Sequence, residues 1–206
     1  EMLCGARITV SYLRPGGVFF DAPDDFWPAL DIFMAELPSE IGEIERLVLE
    51  NEIVMVRTRG VSTLPLDLAI NCSVSGPVLR ASGLAWDWRK MDPYDAYDKV
   101  EFEVPVGVKG DNYDRFICRI LEIEQSMRIV EQGLKKIPFG PVSLEDPSIV
   151  LPEKEKVYNS IEGLMHHFKI IMEGIQVPAG EVYLAVEGGN GELGFYIVSD
   201  GGGRPY

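Results

Sequence analysis

The residue types able to do chemistry are few in this chain, and their spacing names no reaction. His166 and His167 are the only imidazoles among 206 residues. Adjacent helical positions diverge by about 100°, so the pair cannot ligate one metal ion from one face, and a packed or half-exposed structural role is expected for each. Asp92, Asp95 and Asp98 lack the spacing and the terminal Glu of a Ca²⁺ loop, so salt bridges to Arg80, Arg89 and Lys90 are the expected use of these acids. The run Gly188-Gly189-Asn190-Gly191 leads into no helix and reads as a turn, not a phosphate cradle. Cys4, Cys72 and Cys118 are odd in number, far apart and in no CxxC pair, which fits small buried or half-buried thiols in a reducing compartment and no metal site within the chain. No Ser/His/Asp or Cys/His grouping is readable, so no catalytic residue is assigned.

The densest stretch of charge and aromatic surface is residues 73–116. It interleaves Arg80, Asp87, Arg89, Lys90, Asp92, Asp95, Asp98, Asp111, Asp114 and Arg115 with Trp86, Trp88, Tyr94, Tyr97 and Phe102. Such a segment has no simple period before Asp111, and ordering it requires packing against something else.

Composition bounds the partners. The net charge of −14 argues against nucleic acid, which needs a basic face, and against docking on an anionic lipid surface. A hydrophobic content of 46% is too high for disorder. No run approaches the roughly 18 apolar residues that span a bilayer. The chain starts at Glu1 and ends with Gly-Gly-Gly-Arg-Pro-Tyr, and both ends are expected to be cuts in a longer protein.

The elements that must position these groups follow from periodicity. Residues 1–8 read as the tail of a helix, followed by a turn around Pro15, Gly16 and Gly17. Asp24 or Asp25 caps a helix with Phe26, Leu30, Phe33 and Leu37 on one face; Pro38 should end or kink it, and Ser39 should cap the next. Residues 53–60 are β-branched and read as a short strand, and Leu66–Ser73 as a short helix. VEFEVPV at 100–106 alternates like a half-buried strand. Residues 111–137 form the clearest helix, capped by Asp111, with an apolar stripe along its full length and Glu124–Arg128 and Glu131–Lys135 pairs opposite. A proline-rich loop precedes a second long helix at about 153–173 with Gly174 as C-cap, and EVYLAVE and ELGFYIVSD flank the glycine-rich turn as a hairpin. The expected fold is mainly α (α+β), a helical bundle with minor antiparallel β-structure.

Long blocks of the chain resemble one family. They are GARITVSYLRPGGV (5–18), SGPVLRASGLAWDWRK (75–90), PYDAYDKVEFEVPVGVKGDNYDRF (93–116), QSMRIVEQGLKKIP (125–138), LMHHFKIIMEGIQVPAGEVY (164–183) and GELGFYIVSDGGGRPY (191–206). The family is the large catalytic-core subunit, the D-type or 49 kDa subunit, of NADH:quinone oxidoreductase (respiratory complex I). The resemblance implies a helical bundle similar to the [NiFe]-hydrogenase large subunit, with residues 1–206 as the central part of one larger domain. The family's N-terminal quinone loop and its C-terminal strands would lie outside the chain. It implies a wall of a quinone chamber next to the terminal [4Fe-4S] cluster of a B-type Fe-S partner. A C-type partner, other peripheral-arm subunits and the membrane-arm subunits would complete the complex. NADH, FMN, Fe-S clusters and quinone would serve it, none of them bound within this chain alone, which would be inactive by itself. The implied location is the cytoplasmic face of a bacterial plasma membrane.

Within the first block, Arg7, Thr9 and Arg14 fall on the cluster-side wall that the resemblance implies. Many members have His where Thr9 stands. Arg14 could instead tie the turn at Pro15–Gly17 to a carboxylate. Two other readings stay open: the large subunit of an energy-converting membrane [NiFe]-hydrogenase, and a non-catalytic scaffold module.

Overall fold

The computed structural model describes residues 1–204. Pro205 and Tyr206, the end of the GELGFYIVSDGGGRPY block, lie outside the described residues. The chain divides into two compact units. The first comprises Glu1–Leu30, Pro138–Tyr183 and the residues from Tyr196 on; the second comprises Asp31–Ile137 and Leu184–Phe195.

In the first unit, β1 (Leu13–Arg14) and β2 (Gly17–Val18) form a tight antiparallel hairpin with Leu13 opposite Val18 and Arg14 opposite Gly17. Residues 1–8 are turns rather than a helix tail. Left-handed backbone at Gly5 (φ 69°) and Thr9 (φ 58°) interrupts any helical run there.

α1 (Phe26–Ile44) runs straight through Pro38 instead of ending there, and a π-helical turn at Glu45–Leu49 follows. The apolar period Leu30, Phe33, Leu37, Ile41, Ile44 continues across the proline, with Ile41 buried and Phe33 and Ile44 exposed, and the helix tolerates the one lost N–H bond.

In the second unit, the β-branched run after Asn51 is a helix, α2 (Glu52–Thr58), and not a strand. The Asn51 side chain accepts from the Ile53 N–H at 2.9 Å, so capping outweighs β-propensity. α3 (Leu66–Asn71), α4 (Gly76–Ala81) and the single turn α5 (Trp88–Met91) follow. Residues 100–106 keep the expected alternation, with Phe102 buried between exposed Glu101 and Glu103, but they join no sheet. Two side chains of α6 (Asn112–Lys136) replace the missing neighbour strand: Gln132 accepts from the Glu101 N–H at 2.8 Å and Gln125 from the Glu103 N–H at 3.0 Å.

α6 packs on α4 and α2, and its buried residues, Cys118 and Ile120, lie in its first half. Further along, Val130 and Ile137 are exposed, so the stripe is covered only in part by this chain. The expected Glu124–Arg128 and Glu131–Lys135 ion pairs are not formed; Arg128 donates to Gln125 at 3.2 Å instead.

The expected second long helix is two, both in the first unit: α7 (Lys154–Asn159) and α8 (Ile161–Glu173). Ser160 separates them. Its Oγ accepts from the Gly163 N–H at 2.9 Å as the N-cap of α8, which stops α7 from continuing. A Cβ at Gly163 would lie 2.3 Å from the Lys156 carbonyl oxygen, so only glycine fits this corner. Gly174 closes α8 at φ 77°, as its position predicts. β3 (Gly180–Gly188) and β4 (Gly191–Ser199) make the expected hairpin, and its distal part, Leu184–Phe195, belongs to the second unit.

Asp111 is fully buried and caps α6. Burial alone would push its carboxyl up, but N–H groups of Gly60 (2.8 Å) and Asp114 (2.9 Å) bond the charged form and hold it below the ordinary range. A depressed folded-state value means that the stabilisation is complete above about pH 4 and fades as pH falls further. Asp111→Asn is therefore expected to cost about 1–2 kcal/mol at pH 7 and less at pH 3, read by urea denaturation at both pH values. An equal loss at both would contradict it.

Candidate functional site

The three residues singled out in the first block sit on exposed chain in the first unit. The Arg7 side chain is 83% exposed and pairs with Glu1 at 3.3 Å. Thr9 is exposed, and its hydroxyl donates to the Ile8 carbonyl at 2.6 Å. A β-branched residue in left-handed backbone is a strained arrangement. Arg14 donates from Nε to the Ser11 carbonyl at 2.8 Å, and its guanidinium stacks 4.6 Å from the Phe19 ring centre. It thus holds a backbone carbonyl and a ring, not a carboxylate. None of the three bonds to another of them.

What orders this motif is a main-chain bond and a side-chain bond to the main chain. The Phe19 N–H donates to the Tyr12 carbonyl at 2.9 Å, and the Tyr12 hydroxyl to the Phe20 carbonyl at 2.9 Å. Both hydrogen bonds fix the hairpin that presents Arg14. His166 and His167 are half-buried on α8, and His166 hydrogen-bonds through Nε2 to the Pro147 carbonyl.

The second unit has a buried ionic centre on Arg80, which is 1% exposed. Arg80 donates from Nε to Glu122 on α6 at 2.7 Å, and from Nη1 to Glu187 on β3 at 2.8 Å and to the Trp86 carbonyl at 2.9 Å. Asp87 lies 3.9 Å from the same guanidinium and takes a two-point bond from Arg89 at 3.0 and 2.6 Å. Glu187 also accepts from the Trp88 N–H at 3.1 Å, and its own N–H donates to the Tyr94 hydroxyl at 3.1 Å.

Burial alone would lower both arginines; hydrogen bonds and charge from Glu122 and Glu187 on Arg80, and from Asp87 on Arg89, raise them instead. Burial would raise Asp87, yet the bonds and charge of Arg89, with Arg80 behind them, hold it low. Arg80, Arg89 and Asp87 therefore stay charged near neutral pH. Trp86 and Trp88 meet edge-to-face at 5.7 Å, and Arg89 and Lys90 lie 4.8 and 4.2 Å from the Phe102 ring centre.

This centre is a lock on one loop, one helix and one hairpin strand, without a nucleophile or a shared acid–base pair. The expected partners of Arg80 and Arg89 were Asp92, Asp95 and Asp98. Those three form none of the ion pairs among the described residues, where Asp87, Glu122 and Glu187 serve instead. Glu122 and Glu187 are 42 and 107 residues from Arg80, so no local spacing announces them. The available signal was Arg80 itself, set between Leu79 and Ala81 on an apolar turn. An arginine buried there needs acids as partners.

Among the described residues no group of three or more His, Cys, Asp or Glu is placed to hold a metal ion, and no helix is long and apolar enough to cross a membrane.

Comparison with known proteins covers the whole chain. The family model described as respiratory-chain NADH dehydrogenase, 49 Kd subunit, matches residues 1–206. The NADH-quinone oxidoreductase D 2 subunit of Anaeromyxobacter is 51% identical over 204 residues, 99% of this chain and 47% of the relative. The D 1 subunit of Sorangium cellulosum is 49% identical over 203 residues, 98% of this chain and 50% of the relative. The NADH-quinone oxidoreductase C/D subunit of Bdellovibrio bacteriovorus is 47% identical over all 206 residues, which are 37% of that relative. The chain thus spans about half, or less, of the length of these relatives.

Proposed function

The chain belongs to the 49 kDa subunit family of respiratory-chain NADH dehydrogenases, and we propose that it is the central part of the D-type subunit of a proton-translocating NADH:quinone oxidoreductase. The observation that carries this reading is the agreement of its full length with relatives named as that subunit. It weighs for quinone chemistry over a hydrogenase large subunit or a scaffold module. The Bdellovibrio relative named C/D supports a C-type neighbour. In this reading the protein works next to a B-type iron–sulfur partner on the cytoplasmic face of the membrane, and NADH, FMN and the clusters are held by other subunits.

The chain's own contribution is placement. The GARITVSYLRPGGV motif forms part of the quinone-chamber wall beside the partner's terminal [4Fe-4S] cluster, with Arg7, Thr9 and Arg14 on it. Arg80 and its acids fix residues 80–89 and the β3 strand as a rigid support. The hydrogenase-like bundle of the full subunit belongs to the same proposal.

Thr9 gives this reading a sharp consequence. A threonine hydroxyl does not titrate near neutral pH, whereas an imidazole at this position would, and its positive form would favour the reduced cluster. The cluster potential is therefore lower and less pH-dependent than with His, which suits a low-potential quinone such as menaquinone. An EPR redox titration of the assembled complex tests this. The expected slope with Thr9 is well under about 60 mV per pH unit, the value for one proton per electron, and Thr9→His steepens it. A full slope with Thr9 in place, unchanged by the substitution, would remove position 9 from the cluster's surroundings.

A further inference from the structure

Residues 142–150 grip the Pro15–Gly17 turn from two sides. The Val18 N–H donates to the Val142 carbonyl at 3.0 Å, the Leu144 N–H donates to the Gly16 carbonyl at 2.8 Å, and Gly17 pairs antiparallel with Ser143. The approach is close at both glycines, and at Gly17 the obstacle is backbone. A Cβ on Gly17 would sit 2.3 Å from the Val142 carbonyl oxygen, and one on Gly16, at φ 90°, would sit 2.9 Å from Val150 Cγ2. The gripping segment is itself tied down. Asp146 accepts from the Ser148 N–H at 2.8 Å and hydroxyl at 2.6 Å, while its carbonyl accepts from Ile149 and Val150. His166 of α8 bonds the Pro147 carbonyl.

We propose that residues 142–150, anchored by His166, are a brace that sets the position of the SYLRPGGV turn and of Arg14 upon it, which makes Leu144 and His166 positioning residues for electron transfer to quinone. The inference rests on the reading of residues 5–18 as the cluster-side wall. Its physical basis is that β1 and β2 are two residues each, and a two-residue pairing does not hold one geometry alone. The third segment supplies main-chain bonds on the free side of β2. It also gives His166 a role outside metal binding: its Nε2–H donates to a backbone carbonyl, which glutamine can imitate and leucine cannot.

The test uses the assembled complex, with rates expressed per complex by NADH:ferricyanide activity. Leu144→Pro removes the donor to Gly16; Leu144→Ala keeps it. The proline variant is expected to lower kcat for a soluble quinone at least tenfold and to alter the EPR line shape of the terminal cluster, while the alanine variant retains most turnover. His166→Leu and His166→Gln form a second pair, for use if the proline variant does not assemble. Leucine should lower kcat severalfold with little change in KM, and glutamine should restore it. Wild-type turnover and line shape in either Leu144→Pro or His166→Leu would overturn the brace. Arg14→Gln separates the two ideas. If it changes the cluster signal and the brace variants do not, the brace alone fails; if Arg14→Gln also leaves the signal untouched, the wall reading fails with it.

Discussion

Arg80→Met is expected to destabilise the protein by about 3–5 kcal/mol. The side chain is 1% exposed, and its removal leaves Glu187 (5% exposed) and Glu122 (18%) as neighbouring carboxylates without their shared cation. It also leaves the Trp86 carbonyl without its Nη1 donor. Methionine fills most of the volume, so the loss reports charge and hydrogen bonding rather than a cavity.

Arg80→Lys keeps the charge but cannot donate to Glu122, Glu187 and Trp86 from one planar fork, and its stability should fall between those of the wild type and Arg80→Met. Adding Glu122→Gln and Glu187→Gln to the methionine variant should recover at least about 1 kcal/mol, because the cost lies in stranded charges. Urea unfolding followed by tryptophan fluorescence measures all three. A loss under about 1 kcal/mol for Arg80→Met, or further destabilisation by the glutamines, would contradict this description of the centre.

Gly76→Ala should rival it. Gly76 has φ +66°, and a Cβ there would meet Gly191 Cα at 2.3 Å and Gly191 N at 2.7 Å. Both obstacles are backbone, so no rotamer change relieves them, and the hairpin turn must move off the start of α4. That movement breaks the bond from the Glu192 N–H to Ser75 Oγ, 2.8 Å long. Left-handed strain of about 1–2 kcal/mol adds to overpacking of about 1–3 kcal/mol.

Gly60 is the internal control. Its φ is +68°, but nothing lies within 4 Å of the added carbon. Gly60→Ala should therefore cost only the backbone strain of about 1–2 kcal/mol. Thermal unfolding of the two variants reads the difference; equal shifts would show that the Gly76–Gly191 approach relaxes freely.

The contrast between elements shows what local sequence carries. α6, its Asp111 cap, Gly174 and the β3–β4 turn are readable because each is decided within a few residues. Residues 53–60 are not, because a single Asn51 cap outweighs the β-branched side chains that follow it. Pro38 misleads as well: α1 continues through a residue that locally reads as a breaker. At 100–106 the alternation predicts burial correctly, but the partner is a pair of glutamines on a helix, which no period encodes. The ionic centre shows the same limit. Arg80 and Arg89 are visible as charges needing partners, yet the nearby Asp92, Asp95 and Asp98 are the wrong acids, because Glu122 and Glu187 arrive only through tertiary folding. The Arg7–Thr9–Arg14 motif is legible through resemblance alone; its residues show no clustering that spacing could have announced.

Segment exchange tests the central claim most directly. Residues 1–206 would replace the corresponding stretch of a relative's 49 kDa subunit in a strain lacking that gene, and its membranes would be assayed for NADH:ferricyanide and inhibitor-sensitive NADH:quinone reductase activity. The chain as the middle of a quinone-reducing subunit predicts that both activities return together and that Arg14→Gln in the exchanged segment lowers only the second. Membranes that regain ferricyanide reduction without quinone reduction, or in which Arg14→Gln changes neither, would contradict it.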